Sequence, residues 1–265
     1  MSDAMQAMTV KQSLLERLRT KDATIGVIGL GYVGLPLAFN GLQAGFSVIG
    51  FDIDPEKTRA LQTGNAYLSH IDHSILNDVS SAGRFLASTD FSKINDCDAV
   101  LICVPTPLGA HREPDLSYVE ATVTTIGRFL RPGQIISLES STYPGTTEEI
   151  IEDSVVRLGF AVGDEIFVVY SPEREDPGNK KHLVHSIPKV VGGITPSCLD
   201  VGVALYEAIV ESVVPVSSAR VAEMTKLLEN IYRAVNIGLV NELKLVADRM
   251  DIDIWEVIDA ASTKP

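Results

Sequence analysis

This sequence predicts an α/β fold, a doubly wound, Rossmann-like parallel sheet followed by a long central helix. Three observations carry the expectation. Short apolar runs alternate with helical patterns over most of the 265 residues. A Gly-x-Gly-x-x-Gly string joins the first such run to the first helix after it. Near the end, a helical pattern runs from 218 to 250 without proline.

Taken in order, residues 9–19 read as a short amphipathic helix within an N-terminal extension spanning 1–22. Strands are expected at 24–29, 47–52, 85–88, 99–104, 134–138, 167–170, 189–191 and 213–216. Helices are expected at 33–44, 116–130, 146–158 and 196–209. Several strand runs are continuously apolar, as strands covered on both faces require. Strand–helix alternation of this kind builds βαβ units and a parallel sheet. A dinucleotide-binding domain over 23–217 is therefore expected, followed by a central helical region over 218–265. The 218–250 segment would be roughly 50 Å long at 1.5 Å per residue. Its apolar positions, including Leu227, Ile231, Leu239, Leu243 and Val246, form a stripe that needs covering, which points to a homodimer. A short helix at 254–261 with Trp255 closes the chain.

Composition narrows the class. An apolar share of 45% supports a substantial core and excludes wholesale disorder. With 22 basic against 35 acidic side chains and a net charge of −13, a nucleic-acid partner is not expected, because phosphate neutralisation needs clustered Lys and Arg. Cys97, Cys103 and Cys198 have neither disulfide nor metal spacing, and Cys103 reads as a buried strand residue. No metal site is expected, and His70, His73, His111, His182 and His185 are assigned no role. No apolar stretch reaches the roughly 18 residues a membrane span needs. A cytoplasmic protein is the expectation.

The cofactor motif is Gly29-Leu-Gly31-Tyr-Val-Gly34, directly after the strand Ile25-Gly-Val-Ile-Gly29. Gly29 permits the tight turn, Gly31 lets backbone approach a pyrophosphate, and Gly34 allows close helix–strand packing. The helix N-terminus supplies N–H donors to phosphate. Asp52 ends the next strand, where a carboxylate accepts from ribose hydroxyls and repels a 2′-phosphate. NAD is thus favoured over NADP. Thr106, the 140–145 turn and Glu173 each follow a strand at the edge where open α/β sheets bind ligands, and together they outline a cleft. Lys226 and Asn230 share a helix face and could stabilise an oxyanion or move a proton.

These residues together resemble the UDP-glucose/GDP-mannose dehydrogenase family. The carrying strings are Val27-Ile-Gly-Leu-Gly-Tyr-Val-Gly-Leu-Pro36, Val104-Pro-Thr-Pro107, Ser141-Thr-Tyr-Pro-Gly-Thr146, Ser171-Pro-Glu-Arg174, Pro188-Lys-Val-Val-Gly192 and Glu223-Met-Thr-Lys-Leu-Leu-Glu-Asn230. The run from Ser171 to Gly178 looks most like the branch acting on UDP-N-acetylhexosamines. The resemblance implies a four-electron oxidation of a sugar CH₂OH to a carboxylate with two NAD⁺, through a cysteine thiohemiacetal and thioester. It implies that Gly29, Tyr32, Val33, Asp52, Lys57 and Thr106 hold NAD. It implies that Thr142, Glu173, Lys226 and Asn230 position water and stabilise the oxyanion, with Glu173 as acid/base for thioester hydrolysis.

Two departures stand out. Pro177 occupies the position of a second Glu in some relatives, leaving Glu175 or Asp176 as substitutes. The family's nucleophilic cysteine lies in a Gly-rich segment beyond Pro265, so the chain is expected to be truncated, without its nucleotide-sugar-binding domain, and inactive alone. A single-hydride β-hydroxyacid dehydrogenase-like enzyme and a non-catalytic NAD-binding module are the alternatives.

Overall fold

The computed structural model describes residues 8–64, 83–174 and 187–264. The chain divides into two compact units, Met1–Met224 and Thr225–Pro265.

Helix α1 (Val10–Thr20) opens with a capping box, in which the Thr9 hydroxyl accepts from Gln12 N–H and the Gln12 side chain accepts from Thr9 N–H. Its buried Leu14 and Leu18 join the core. Arg17 pairs with the buried Asp98, and Lys11 with Asp200, so the extension is fastened to the first unit.

Eight strands follow: β1 (Thr24–Ile28), β2 (Ser47–Phe51), β3 (Phe85–Ser88), β4 (Ala99–Ile102), β5 (Gln134–Leu138), β6 (Ile166–Tyr170), β7 (Lys189–Gly193) and β8 (Val213–Val216). They form one sheet in the order β3-β2-β1-β4-β5-β6-β7-β8. Every neighbouring pair is parallel except β6–β7. All eight expected strands are present, but β7 and β8 run against the rest, so the sheet is mixed and mostly parallel. Parallel pairing needs a crossover on one face, and the sequence between β6 and β7 carries no expected helix.

Among the described residues the remaining helices are, in chain order, α2 (Gly34–Gln43), α3 (Pro55–Gln62), α4 (Ser117–Gly127), α5 (Asp153–Arg157), α6 (Pro196–Glu207), α7 (Ala219–Arg249) and α8 (Ile254–Ala261). Helix α5 is entered through a π-turn at Thr147–Glu152. Helix α3, not anticipated from the sequence, begins with an Asp54 cap and Pro55 in its first turn. One apolar cluster gathers α1, α2 and α6 on one sheet face, and a second gathers α4 and α5 on the other. The central strands β4, β5 and β6 are buried throughout, matching the unbroken apolar runs of β4 and β6. The edge strand β8 is partly exposed and carries Pro215, which an edge tolerates.

The second unit continues α7, 31 residues long in all, and adds α8. Ile231, Leu239, Leu243 and Val246 on α7 are each about half exposed. No helix among the described residues is long and apolar enough to cross a membrane.

Candidate functional site

The strand order reverses between β1 and β4, and the loops at their carboxyl ends face a common crevice. The glycine turn sits there. Gly29 has φ +90°, and a side chain on it would meet the Cys103 carbonyl at 2.7 Å. A methyl on Gly34 would collide with the Gly29 carbonyl oxygen. Gly31 differs, because a Cβ there meets no heavy atom within 4 Å. Tyr32 is exposed, and Val33 takes the N-cap position of α2. That helix starts with no side-chain cap and no acidic residue in its first turn, so its positive end is left for an anion.

Asp52, just past β2, is buried. Its Oδ2 accepts from Leu30 N–H at 3.0 Å and lies 3.5 Å from Lys57 Nζ, while Oδ1 accepts from Asp54 N–H at 3.0 Å. The carboxylate thereby ties the glycine turn to the start of α3 and brings Lys57 to the same spot. Beside it lies a cavity of about 240 Å³. Ile28, Gly29, Asp52, Val104, Tyr118 and Thr122 are among its lining residues. An apolar slot with a carboxylate at its rim suits a purine and its ribose. These features fit a dinucleotide.

The hydroxyl-bearing turns follow β4 and β5. Thr106 Oγ1 donates to the Ser141 carbonyl at 2.8 Å, and Ser140 Oγ donates to the Val104 carbonyl at 2.6 Å. The two turns are stitched together, as expected for one edge. Thr142 is buried, and its hydroxyl has no partner among the described residues. Glu173 follows β6, the next parallel strand. Its Oε1 accepts from Arg174 N–H at 2.8 Å, and its Oε2 lies 3.9 Å from Lys189 Nζ. Lys226 and Asn230 stand one turn apart on α7, within the second unit.

Cys103 departs from the expectation of a buried strand residue. The ladder ends at Ile102, and Cys103 is half-buried just beyond it, beneath the glycine turn. Its N–H still donates to the Ile28 carbonyl at 2.8 Å. Burial and the neighbouring Glu139 carboxylate push its thiol up. Burial also pushes Cys97 up, to about 12. Neither is a ready thiolate. No metal-binding cluster occurs among the described residues. Glu175, Asp176, His70, His73, His182 and His185 lie outside the described residues.

Two further buried acids, Glu223 and Glu139, stand at these strand ends and turns. Glu223, at the start of α7, accepts from Gly145 N–H at 2.6 Å, Thr147 N–H at 2.9 Å and the Thr147 hydroxyl at 2.7 Å. Burial pushes this carboxyl up, and the three donors oppose the shift. It caps the turn that carries Thr142 into α5. Glu139, one residue past β5, pairs with Lys189 Nζ at 2.6 Å and accepts from the Tyr206 hydroxyl. The one signal available beforehand was a lone charge at the end of an apolar run.

The profile of the UDP-glucose/GDP-mannose dehydrogenase family, NAD binding domain, matches residues 23–210, and that of its central domain matches 220–265. The UDP-N-acetyl-D-glucosamine 6-dehydrogenase of Pseudomonas aeruginosa is 38% identical over 247 residues, covering 92% of this chain and 57% of that protein. The solved UDP-D-ManNAc dehydrogenase of Pyrococcus horikoshii superposes with a TM-score of 0.85 at 32% identity, over 91% of this chain and 58% of that one. The UDP-N-acetyl-mannosamine dehydrogenase Cap5O of Staphylococcus aureus gives 0.82 at 34%, over 92% and 59%. The chain thus spans a little under three fifths of these relatives. With a glycine turn built for a dinucleotide and both profiles in sequence order, the chain belongs to the UDP-glucose/GDP-mannose dehydrogenase family, and its cofactor is NAD.

Proposed function

We propose that this chain supplies the NAD-binding half and part of the reacting edge of an NAD-dependent nucleotide-sugar 6-dehydrogenase, with a UDP-N-acetylhexosamine or UDP-glucose as substrate. The observation that carries the reading is Gly31, the one motif glycine whose missing side chain leaves open space, set before an uncapped helix with Asp52 beside it. In this reading residues 23–217 hold the cofactor and 218–265 begin the central region.

When bound, NAD⁺ accepts hydride from the sugar carbon. The chain's own residues do the rest of what can be assigned. Gly29, Gly31, Tyr32, Val33 and Gly34 present backbone to the pyrophosphate. Asp52 accepts from the ribose hydroxyls, with Lys57 beside it, and Thr106 fixes the turn next to the nicotinamide. Thr142, whose buried hydroxyl is unpartnered, and Glu173 line the reacting edge, with Glu173 as acid/base for water. Lys226 and Asn230 would stabilise the oxyanion. The half-exposed apolar positions of α7 support pairing with a second copy of the chain. A chain working on nucleotide-linked sugars fits the cytoplasm.

Calorimetric titration tests the reading. NAD⁺ should bind more tightly than NADP⁺, and Asp52→Asn should weaken NAD⁺ and narrow the difference. Equal or tighter NADP⁺ binding by the unmodified chain would overturn the role of Asp52. In a protein of the relatives' full length, two NADH per UDP-N-acetylhexosamine is expected. One NADH per substrate would mark a hydroxyacid-type enzyme instead.

A further inference from the structure

Behind the reacting edge lies a group of buried charges with no assigned role. Lys189 opens β7 and its side chain is only 7% exposed, while that of Glu139 is fully buried. Lys189 Nζ donates to Glu139 Oε2 at 2.6 Å and to the Pro172 carbonyl at 3.3 Å, and lies 5.2 Å from the centre of the Tyr206 ring. Tyr206 donates to the other oxygen of Glu139 and shares a 2.7 Å hydrogen bond with the Ser137 hydroxyl. A lysine stem is normally flexible, yet these contacts fix its ammonium in one place. Glu173 Oε2 lies 3.9 Å from the same ammonium. That separation suits a Coulombic pair more than a direct hydrogen bond.

A buried ion pair is weak evidence for stability, since packed apolar side chains often serve as well. Here the pair lies against a carboxylate at the reacting edge, where placed charge has a chemical use. We propose that Lys189, anchored by Glu139 and Tyr206, is a positioning residue for Glu173, holding its carboxylate in place. The role rests on the reading of Glu173 as acid/base. Burial works against the Lys189 ammonium, but the Glu139 and Glu173 carboxylates outweigh it and raise its proton affinity. Among the described residues, the other titratable groups facing the cluster are Cys103, whose thiol is pushed up, Tyr206 on α6, likewise pushed up by burial and Glu139, and Arg174. Helix α2 contributes the neutral Leu37 and Asn40 to the same gap.

The test follows the Glu173 carboxyl by NMR in the chain labelled at glutamate carboxyls, the signal being identified by its loss in Glu173→Gln. Three variants make the test. With Glu139→Gln and Lys189→Met together, no buried charge is left alone, and the Glu173 carboxyl signal should move and broaden as the carboxylate loses its fixed neighbour. Glu139→Gln alone releases Lys189 from its anchor, and the signal should move there too. Lys189→Arg, which keeps the cation, should leave the signal close to the parent's. A scaffold role for the pair would not move the signal of a carboxylate outside it. An unmoved signal in a double variant that melts cooperatively overturns the proposal, as does an unmoved signal in Glu139→Gln alone, which applies even if the double variant does not fold. Cofactor binding does not enter this readout, so a failed NAD⁺ titration and an unmoved carboxyl signal are separate results.

Discussion

At the β1–β2 end of the sheet the site is made of backbone, whereas at the β5–β7 end it is made of charge. Gly29, Gly31 and Gly34 fall within six consecutive positions, and Asp52 joins them across one βαβ unit. Glu139, Glu173, Lys189 and Tyr206 come from three strand ends and a helix, up to 67 residues apart. The first end can be built from a local rule about turns. The second exists only once the sheet is assembled, because each charge is tolerable only beside the others. Substitutions at the first end should therefore act through space, and those at the second through unpaired charge.

The largest effect is expected at the charged end. Lys189→Met alone leaves Glu139 buried without its cation, and unfolding free energy should drop by ~3–5 kcal/mol. Adding Glu139→Gln should restore most of it, since both charges are then gone. Denaturant unfolding checks this, and equal losses in the single and double variants would show that packing matters more than charge. The pH dependence has a definite sign. Lys189 and Tyr206 are both raised in the folded state above ordinary values of 10.5 and 10.0. A raised group contributes fully below its unfolded value and loses that contribution as pH rises through the folded one. Glu139 is raised as well, so below about pH 10 the comparison follows that carboxyl, and above it the parent's melting temperature should fall relative to that of the double variant. A parent that gains on the double variant there would contradict the assignment.

Next in size is Gly34→Ala. The added methyl would run into the Gly29 carbonyl, and backbone yields less readily than a side chain. A cost of about 3 kcal/mol is expected, at the top of the usual range for overpacking, together with loss of NAD⁺ binding. A melting temperature unchanged from the parent would show that the turn yields to the added methyl.

The same contrast explains what was legible in the sequence. The glycine turn, Asp52 and all eight strands could be read because periodicity and turn chemistry are local. The central strands β4 and β6 announce themselves by having no polar face. Helix α3 was not anticipated, although Asp54-Pro55 is a sound start signal, because its eight residues carry a weak apolar pattern. The reversal of β7 and β8 is a matter of how the chain crosses the sheet, and no residue of either strand records it. Cys103 looked like strand interior because its run is apolar, but the ladder stops one residue earlier. Lys189 and Glu139 could be seen as lone charges at the ends of apolar strands. Their partnership across 50 positions could not, since a sequence does not show which strand ends become neighbours.

The smallest effect on the fold, and the sharpest test of the comparison, belongs to Gly31→Ala. It lies two residues from Gly29 and three from Gly34, in the same turn, and by sequence the three glycines look alike. In the structure they differ, for an added methyl at Gly31 meets nothing within 4 Å. No backbone constraint on this position is evident, so stability should change by less than about 0.5 kcal/mol. The empty space then needs another reason. If a pyrophosphate comes close to the backbone there, a methyl stands in its way and displaces it from the N–H donors of α2. NAD⁺ affinity should fall at least about tenfold, roughly 1.4 kcal/mol, with melting unchanged in the absence of cofactor. That separation of binding from stability is what Gly34→Ala cannot give. Should Gly31→Ala bind NAD⁺ as the parent does, the open space would not be the pyrophosphate's, and the glycine turn would serve the fold alone.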